Sequence, residues 1–318
     1  MRDQVQVYSE PNSASGIAAS LQKGEEYPIV ESARSYYKIQ MLGGKQGWVK
    51  KSQVQHKKVK RVVMSWNFGG STNLYMQQSA SANQHVVSPR WYVLSDKKDP
   101  MVSIQVDPAY VKWAHDNGKQ IWPLFGNRFD PELTRSLLSS PEKRQKVVAA
   151  IKESLVQYQI DGINVDFENV DIRNKADFVA FVQELSDALK PLGKVVSVDV
   201  ARISPDPNWS GSYDRAGLGK AADYVILMGY DEHWNGGGKA GSVASLPWTE
   251  EGITLLMNEV PSHKIILGVP FYTREWVTDP ATGKVTGIDR SMGEVEKLVA
   301  ERGLQKIRDV NISARQSR

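Results

Sequence analysis

The 318-residue sequence contains no cysteine, which excludes disulfides, thiolate metal sites and a cysteine nucleophile. No apolar run reaches 18 residues, so no membrane-spanning helix is expected. Histidine is scarce, five in all, and none shows a spacing such as HExxH. No metal and no other cofactor are therefore expected. No GxGxxG follows the first predicted strand, which weighs against a dinucleotide-binding sheet. Excess charge is also lacking: 40 Lys and Arg stand against 36 Asp and Glu, a net +4. That balance gives no nucleic-acid footprint and allows only a weak attraction to an anionic wall polymer. The start, Met1-Arg2-Asp3-Gln4-Val5, lacks the pattern of a secretory leader, so export by that route is expected only if a segment precedes it.

What is present suffices for two domains: 41% of residues are hydrophobic, enough for a sizeable core. Residues 1–56 carry short β-rich runs (Val5–Tyr8, Tyr27–Glu31, Tyr36–Met41, Gly47–Val49) broken by Pro11-Asn12-Ser13 and Gly43-Gly44, the pattern of a small all-β barrel. Val7-Tyr8-Ser9-Glu10-Pro11, Leu21-Gln22-Lys23-Gly24-Glu25, Tyr37-Lys38-Ile39-Gln40 and Gly47-Trp48-Val49 occur in an order that resembles a bacterial SH3 domain. The resemblance implies cell-wall binding through residues 1–56, with a passive folding module as the alternative. His56-Lys57-Lys58-Val59-Lys60-Arg61 reads as a solvated linker.

From residue 59 to 318 strands and helices alternate. Strands are predicted at 60–66, 85–94, 119–125, 160–168, 194–201, 222–230 and 264–271, as apolar runs suited to a parallel sheet. Helices are predicted from Asp107-Pro108 to Gly118, from Ser140-Pro141 to Tyr158, over Lys175–Leu189 and over Met292–Arg302. Strict alternation predicts an α/β fold, a (β/α)8 TIM barrel, with the doubly wound sheet as rival. The count is one strand short. Thr273–Gly287 reads as a polar excursion, and the tail Ile307–Arg318 shows no hydrophobic strand. An open seven-stranded barrel with unpaired edges, from a truncated or frame-shifted chain, is the expectation.

The chemistry concentrates in Asp161-Gly162-Ile163-Asn164-Val165-Asp166-Phe167-Glu168. Along a strand, Asn164, Asp166 and Glu168 share one face and Ile163, Val165 and Phe167 the other. Carboxyls two residues apart sit roughly 6–7 Å from each other, close enough for each to disfavour ionisation of the other. A protonated acid beside an ionised one equips a glycosidase. A surface or magnesium-binding pair is the plainer alternative.

This segment resembles the Asp-Gly-x-Asp-x-Asp-x-Glu signature of glycoside hydrolase family 18, the chitinase family. Met228-Gly229-Tyr230-Asp231 resembles that family's Met-x-Tyr-Asp on strand six, and Gly268-Val269-Pro270-Phe271-Tyr272 its strand-seven pattern. Asp161–Val170, Glu232-His233-Trp234 and Ala240–Ser245 resemble the branch containing spore-cortex-lytic N-acetylglucosaminidases. The resemblance implies a retaining, substrate-assisted hydrolase of N-acetylglucosamine polymers, peptidoglycan or cortex before chitin, located at the cell wall or spore or outside the cell. It implies Glu168 as acid and then base, Asp166 as the residue orienting the substrate acetamide, Tyr230 as its hydrogen-bond donor and Asp231 as a sugar ligand. Tyr230 shares the inward face with Met228, the other substrate-side residue of that strand. Trp66, Trp91, Tyr272 and Trp234 are candidate sugar platforms, with packing as the alternative for each, and Asn127 is a candidate substrate contact or a loop anchor. Asn164 replaces the family's middle aspartate. One like charge fewer predicts easier ionisation of Asp166. The alternatives to a wall hydrolase are a non-catalytic carbohydrate-binding protein, a chitinase or an endo-N-acetylglucosaminidase.

Overall fold

The computed structural model describes residues 4–57, 61–309 and 314–317. Met1–Asp3, Lys58–Lys60 of the predicted linker, residues 310–313 of the predicted tail and Arg318 lie outside them. By contacts the chain divides into a first unit, Met1–Ile226 with Met257–Ile266, and a second, Leu227–Leu256 with Leu267–Arg318.

The first unit opens with β1 (Gln4–Tyr8), β2 (Ile17–Gln22), β3 (Ile29–Ser32), β4 (Tyr36–Gln40) and β5 (Gln46–Lys50). They form an antiparallel sheet in the order β2-β1-β5-β4-β3. Alternation places Val7, Leu21, Ile39 and Val49 inside, with Tyr27, Tyr37 and Met41 packed around them. Gly47 is required there, since a Cβ would lie 2.4 Å from Val7 Cγ1.

The larger sheet is built from β6 (Met64–Asn67), β7 (Val86–Leu94), β10 (Leu124–Gly126), β11 (Gly162–Asp166), β12 (Val195–Ala201), β13 (Tyr224–Met228) and β14 (Ile265–Gly268). Two short strands, β8 (Val102–Ile104) and β9 (Gln120–Ile121), join β7 off this path. Spatial order follows chain order from β6 to β14. A doubly wound sheet would reverse direction at a switch point, so the rival topology is excluded. Between the strands lie α1 (Thr72–Gln78), α2 (Pro108–Asp116), α3 (Pro131–Leu138), α4 (Pro141–Gln157), α5 (Lys175–Leu189) and α6 (Arg215–Ala221). The predicted caps are in place: Asp107 accepts from the N–H groups of Ala109 and Tyr110, and Ser140 from that of Lys143. Gly118 ends its helix with φ +68°.

The second unit takes the ends of β13 and β14 with α7 (Leu246–Leu256), the hairpin β15 (Tyr272–Thr278) and β16 (Val285–Ser291), α8 (Met292–Glu301) and the pair β17 (Lys306–Asp309) and β18 (Ala314–Ser317). Two expectations are corrected here. The polar excursion after Phe271 is an antiparallel hairpin, closed by a turn in which Asp279 accepts from the N–H groups of Ala281 and Thr282. The tail is not strandless, since β17 and β18 pair with each other in a sheet of their own. Among the described residues, the parallel path holds seven strands. The single strand predicted over 119–125 is two, interrupted at Trp122-Pro123, where proline withholds an N–H from the ladder.

Asp161, just before β11, accepts from the N–H of Ile121 at 2.9 Å, and Asp223, just before β13, accepts from that of Val196 at 2.9 Å. These bonds fix the register of neighbouring strands at their N-terminal ends. Gly162 allows β11 to approach: a Cβ there would sit 2.6 Å from Val195 O and 2.9 Å from Trp122 Cδ1. Gly162→Ala is therefore expected to destabilise the fold by about 1–3 kcal/mol, measured as a lower denaturant midpoint. The same change at Gly193, which meets nothing within 4 Å but has φ +68°, should cost less, on the order of 1 kcal/mol.

Candidate active site

The two faces of β11 do different work. On the back, Phe167 lies 5.7 Å from the rings of both Phe178 and Phe181 of α5, parallel to each within 12°. Phe125 meets it edge-on at 5.0 Å. Burying such a ring contributes about 2–3 kcal/mol, and this one sits between Asp166 and Glu168 in the chain. Tyr213, also buried, donates its hydroxyl to Phe167 O at 2.9 Å. The backbone carrying both carboxyls is thus held from its apolar side.

On the front, Asn127 continues the ladder where β10 stops. Its Oδ1 accepts from the N–H of Glu168 at 3.1 Å, and its Nδ2 donates to Glu168 O at 2.7 Å and to Thr134 Oγ1 at 2.8 Å. Asn127 is 1% exposed, and all of these bonds tie its own loop to the backbone at Glu168 and to the side chain of Thr134. Glu168 itself is half-buried, as is Asp166. One oxygen of Asp166, Oδ1, is enclosed and without a hydrogen-bond partner among the described residues.

Asn164 is fully buried. Its Oδ1 accepts from Trp66 Nε1 at 2.9 Å, and its Nδ2 donates to Ser197 Oγ at 3.1 Å and Asp199 Oδ1 at 2.8 Å. An indole N–H only donates, which fixes which end of the amide faces Trp66. Trp66 therefore has a polar assignment beside any stacking one. Asp199, 1% exposed, supplies a carboxyl that the sequence reading did not single out. The signal was there: in Val195–Ala201 the valines at 196, 198 and 200 alternate with Ser197 and Asp199.

Burial pushes the Asp166 carboxyl up to about 6, only partly offset by attraction to Arg90. The Asp199 carboxyl is pushed well above its usual range by burial, then by the charge of Asp166. Burial and an acid on the next strand thus act on Asp166 beside the like charge that Asn164 removes.

In the second unit Tyr272 donates its hydroxyl to Asp231 Oδ1 at 2.5 Å, and Arg274 pairs with the same oxygen at 2.8 Å. Arg274 also holds Asp289 at 2.7 Å. Asp231 has φ +65°, a strained value for a residue with a side chain. The rings of Tyr230 and Tyr272 lie 6.3 Å apart at 74°, and Met228 is buried at the end of β13. The predicted residues thus gather as Trp66, Asn127, Asn164, Asp166 and Glu168 in one unit, and Met228, Tyr230, Asp231 and Tyr272 in the other.

Of the proposed sugar platforms, Trp91 is 3% exposed and packed edge-on against Tyr75 and Tyr110, so it is core. Trp234 is 55% exposed. Two aromatics missed from sequence lie in the loops after β10 and β12: Phe129 and Trp209, both largely exposed, with rings 6.0 Å apart at 33°. Arg128 and Phe129 have φ +63° and +57°, and Asn169 Nδ2 holds Phe129 O at 3.0 Å. Left-handed backbone at a bulky residue is strained and collects at functional sites.

A chain-ordered parallel α/β wall with carboxyl groups at the C-terminal end of a central strand defines a barrel-type hydrolase scaffold. The chain belongs to glycosyl hydrolase family 18: the family model described as "Glycosyl hydrolases family 18" matches residues 108–311. An uncharacterized glycosylase of Bacillus subtilis, YvbX, is 33% identical over 178 residues, 54% of this chain and 49% of that protein. The cortical fragment-lytic enzyme of Bacillus subtilis is 25% identical over 163 residues, 50% of this chain and 38% of that protein. The chain thus spans less than half the length of these curated relatives. The crystal structure of the spore cortex-lytic enzyme SleL of Bacillus megaterium matches with a TM-score of 0.70 at 18% identity, covering 86% of this chain and 64% of that one. At that identity it shows the shared fold.

Removing the Asn127 side chain strips two bonds from the Glu168 backbone and one from Thr134. Asn127→Ala is expected to lower stability by roughly 2–4 kcal/mol, read by chemical denaturation. Phe271→Ala, at a ring 84% exposed, should change it by about 0.5 kcal/mol or less.

Proposed function

We propose that the chain is a retaining glycosidase of β-linked N-acetylglucosamine polymers, acting on peptidoglycan or spore cortex. The observation that carries this reading is Glu168, held at its backbone by Asn127 and two residues past an Asp166 whose carboxyl is raised by burial. Glu168 protonates the glycosidic oxygen, and the substrate's acetamide oxygen attacks the anomeric carbon. Asp166, as carboxylate, orients the acetamide and stabilises its positive charge. Glu168 then takes a proton from water, which opens the cyclic intermediate with net retention. Within the second unit Tyr230 donates to the acetamide, Asp231 and Tyr272 bind sugar hydroxyls and Met228 lies on the substrate side; Trp66 is a sugar contact of the first unit.

The Phe129–Trp209 pair suits the face of a further sugar ring, which favours a polymer over a disaccharide. A cortex substrate is favoured by the similarity to a cortical fragment-lytic enzyme and to a spore cortex-lytic enzyme. The five-stranded module supports an SH3-like wall-binding domain at 1–56 ahead of a catalytic domain at 59–318. On it Lys38 and Lys51 lie 5.6 Å and 4.7 Å over the rings of the buried Trp48 and the half-buried Tyr37, and these two cations suit an anionic glycan.

Purified chain and its Glu168→Gln variant, incubated with cortex fragments, chitin oligomers and N-glycans, test the reading by mass spectrometry of new reducing ends. Cleavage of cortex fragments should fall roughly 10²- to 10⁴-fold in the variant. Cleavage unaffected by Glu168→Gln, or glycan binding without cleavage by the folded wild type, would contradict it. Phe129→Ala should raise KM for long oligomers about 2- to 10-fold and leave a short aryl glycoside unchanged.

A further inference from the structure

Asp199 has no part in the reaction as described, yet its surroundings are specific. Val165 pairs with Val198 in the parallel register of β11 and β12, so Asp166 and Asp199 are the next residues along each strand and point to one side of the sheet. Asn164 settles half of the hydrogen bonding. With its oxygen on the donor-only indole of Trp66, its NH2 must face outward to Ser197 and Asp199, so one oxygen of Asp199 is an acceptor. Asp166 poses the other half. Its Oδ1 is enclosed and meets no donor among the described residues. An enclosed acceptor left without a donor is unfavourable, and more so when it is charged. A buried second carboxylate beside it would add like-charge repulsion.

We infer that Asp199 is a carboxylic acid at neutral pH, accepting from Asn164 through one oxygen and directing its own O–H to the enclosed oxygen of Asp166, so that Asp166 alone carries the charge of the pair. The electrostatic directions agree. Burial and then the charge of Asp166 disfavour ionised Asp199; the hydrogen bond from Asn164 opposes them, the weaker repulsion from Glu168 adds to them, and a hydrogen bond from Trp66 opposes them least. The charged and titratable groups around the pair are Glu168 just after β11, Arg90 on β7 and Tyr213 after β12. Arg90 favours the anion on Asp166. A buried carboxylic acid kept neutral so that it can donate is known chemistry.

Asp199 is thus a positioning residue. This inference rests on the proposed glycosidase reading for its consequence: one fixed negative charge, on Asp166, faces the positive charge that develops on the sugar. Its chemical core, the proton on Asp199, does not need substrate.

Infrared difference spectra of the full chain at pH 7, wild type against Asp199→Asn, test the proton directly. The expected result is a carboxylic-acid carbonyl band in the wild type that Asp199→Asn removes. No acid band lost would overturn the inference whatever the activity. On glycan substrate, Asp199→Ala should lower kcat roughly 10- to 100-fold by leaving both Asn164 and Asp166 without a partner. Asp199→Asn, whose amide can accept from Asn164 and donate to Asp166, should restore most of that loss. If Asp199→Asn is folded and as impaired as Asp199→Ala, Asp199 acts as an anion and the inference fails. If no variant and no wild type cleaves any glycan, the glycosidase reading fails while the infrared result still decides the proton.

Discussion

The constraint on which this site depends is the cost of keeping carboxyl groups away from water. Asp166 and Asp199 sit on adjacent strands behind a wall of phenylalanines, and a pair of bare charges there is far more expensive than one charge and one acid. The neutral neighbours are all oriented by that fact. Trp66 fixes the Asn164 amide, Asn164 offers its NH2 to Asp199, and Ser197 takes the second N–H. The front of β11 is therefore a hydrogen-bonded network in which a change of one member is felt by the rest.

The back of the strand is what lets the front be so unfavourable. Phe167 stacked between Phe178 and Phe181, and Tyr213 holding its carbonyl, anchor the backbone between the two carboxyls. Asp161 and Gly162 fix where the strand begins. Alternation in one eight-residue segment thus couples packing to chemistry: each apolar residue holds the polar residue beside it.

Much of this was legible in the sequence, for a physical reason. A strand with one polar face and one apolar face has a strict two-residue period, so Asn164 and Asp166 could be placed on one side, with Glu168 two residues on, without a structure. Helices announced themselves through Asp107, Ser140 and Gly118, because caps are local. What escaped was non-local or masked. Asp199 is a lone acid in a valine run, and only the register of β12 against β11 brings it to the site. Asn127 acts by prolonging a backbone ladder, which no residue pattern reveals. The hairpin at 272–291 is polar on most of its surface, so its alternation did not stand out, although Asp279 and Gly283 mark its turn. The burial of Asp166 also escaped, because charge can be counted along the chain and enclosure cannot.

The measurement that tests the central claim most directly is the dependence of kcat/KM on pH in the wild-type chain, followed on a cortex oligomer. Asp166 must be ionised to face a positive sugar, and burial holds its carboxyl at about 6. Activity should therefore be present above that value and be lost as pH falls through it, with the acid limb centred near 6. An acid limb near the ordinary carboxylate value of about 4, or activity flat to that point, would show that burial does not govern Asp166 and would contradict the account.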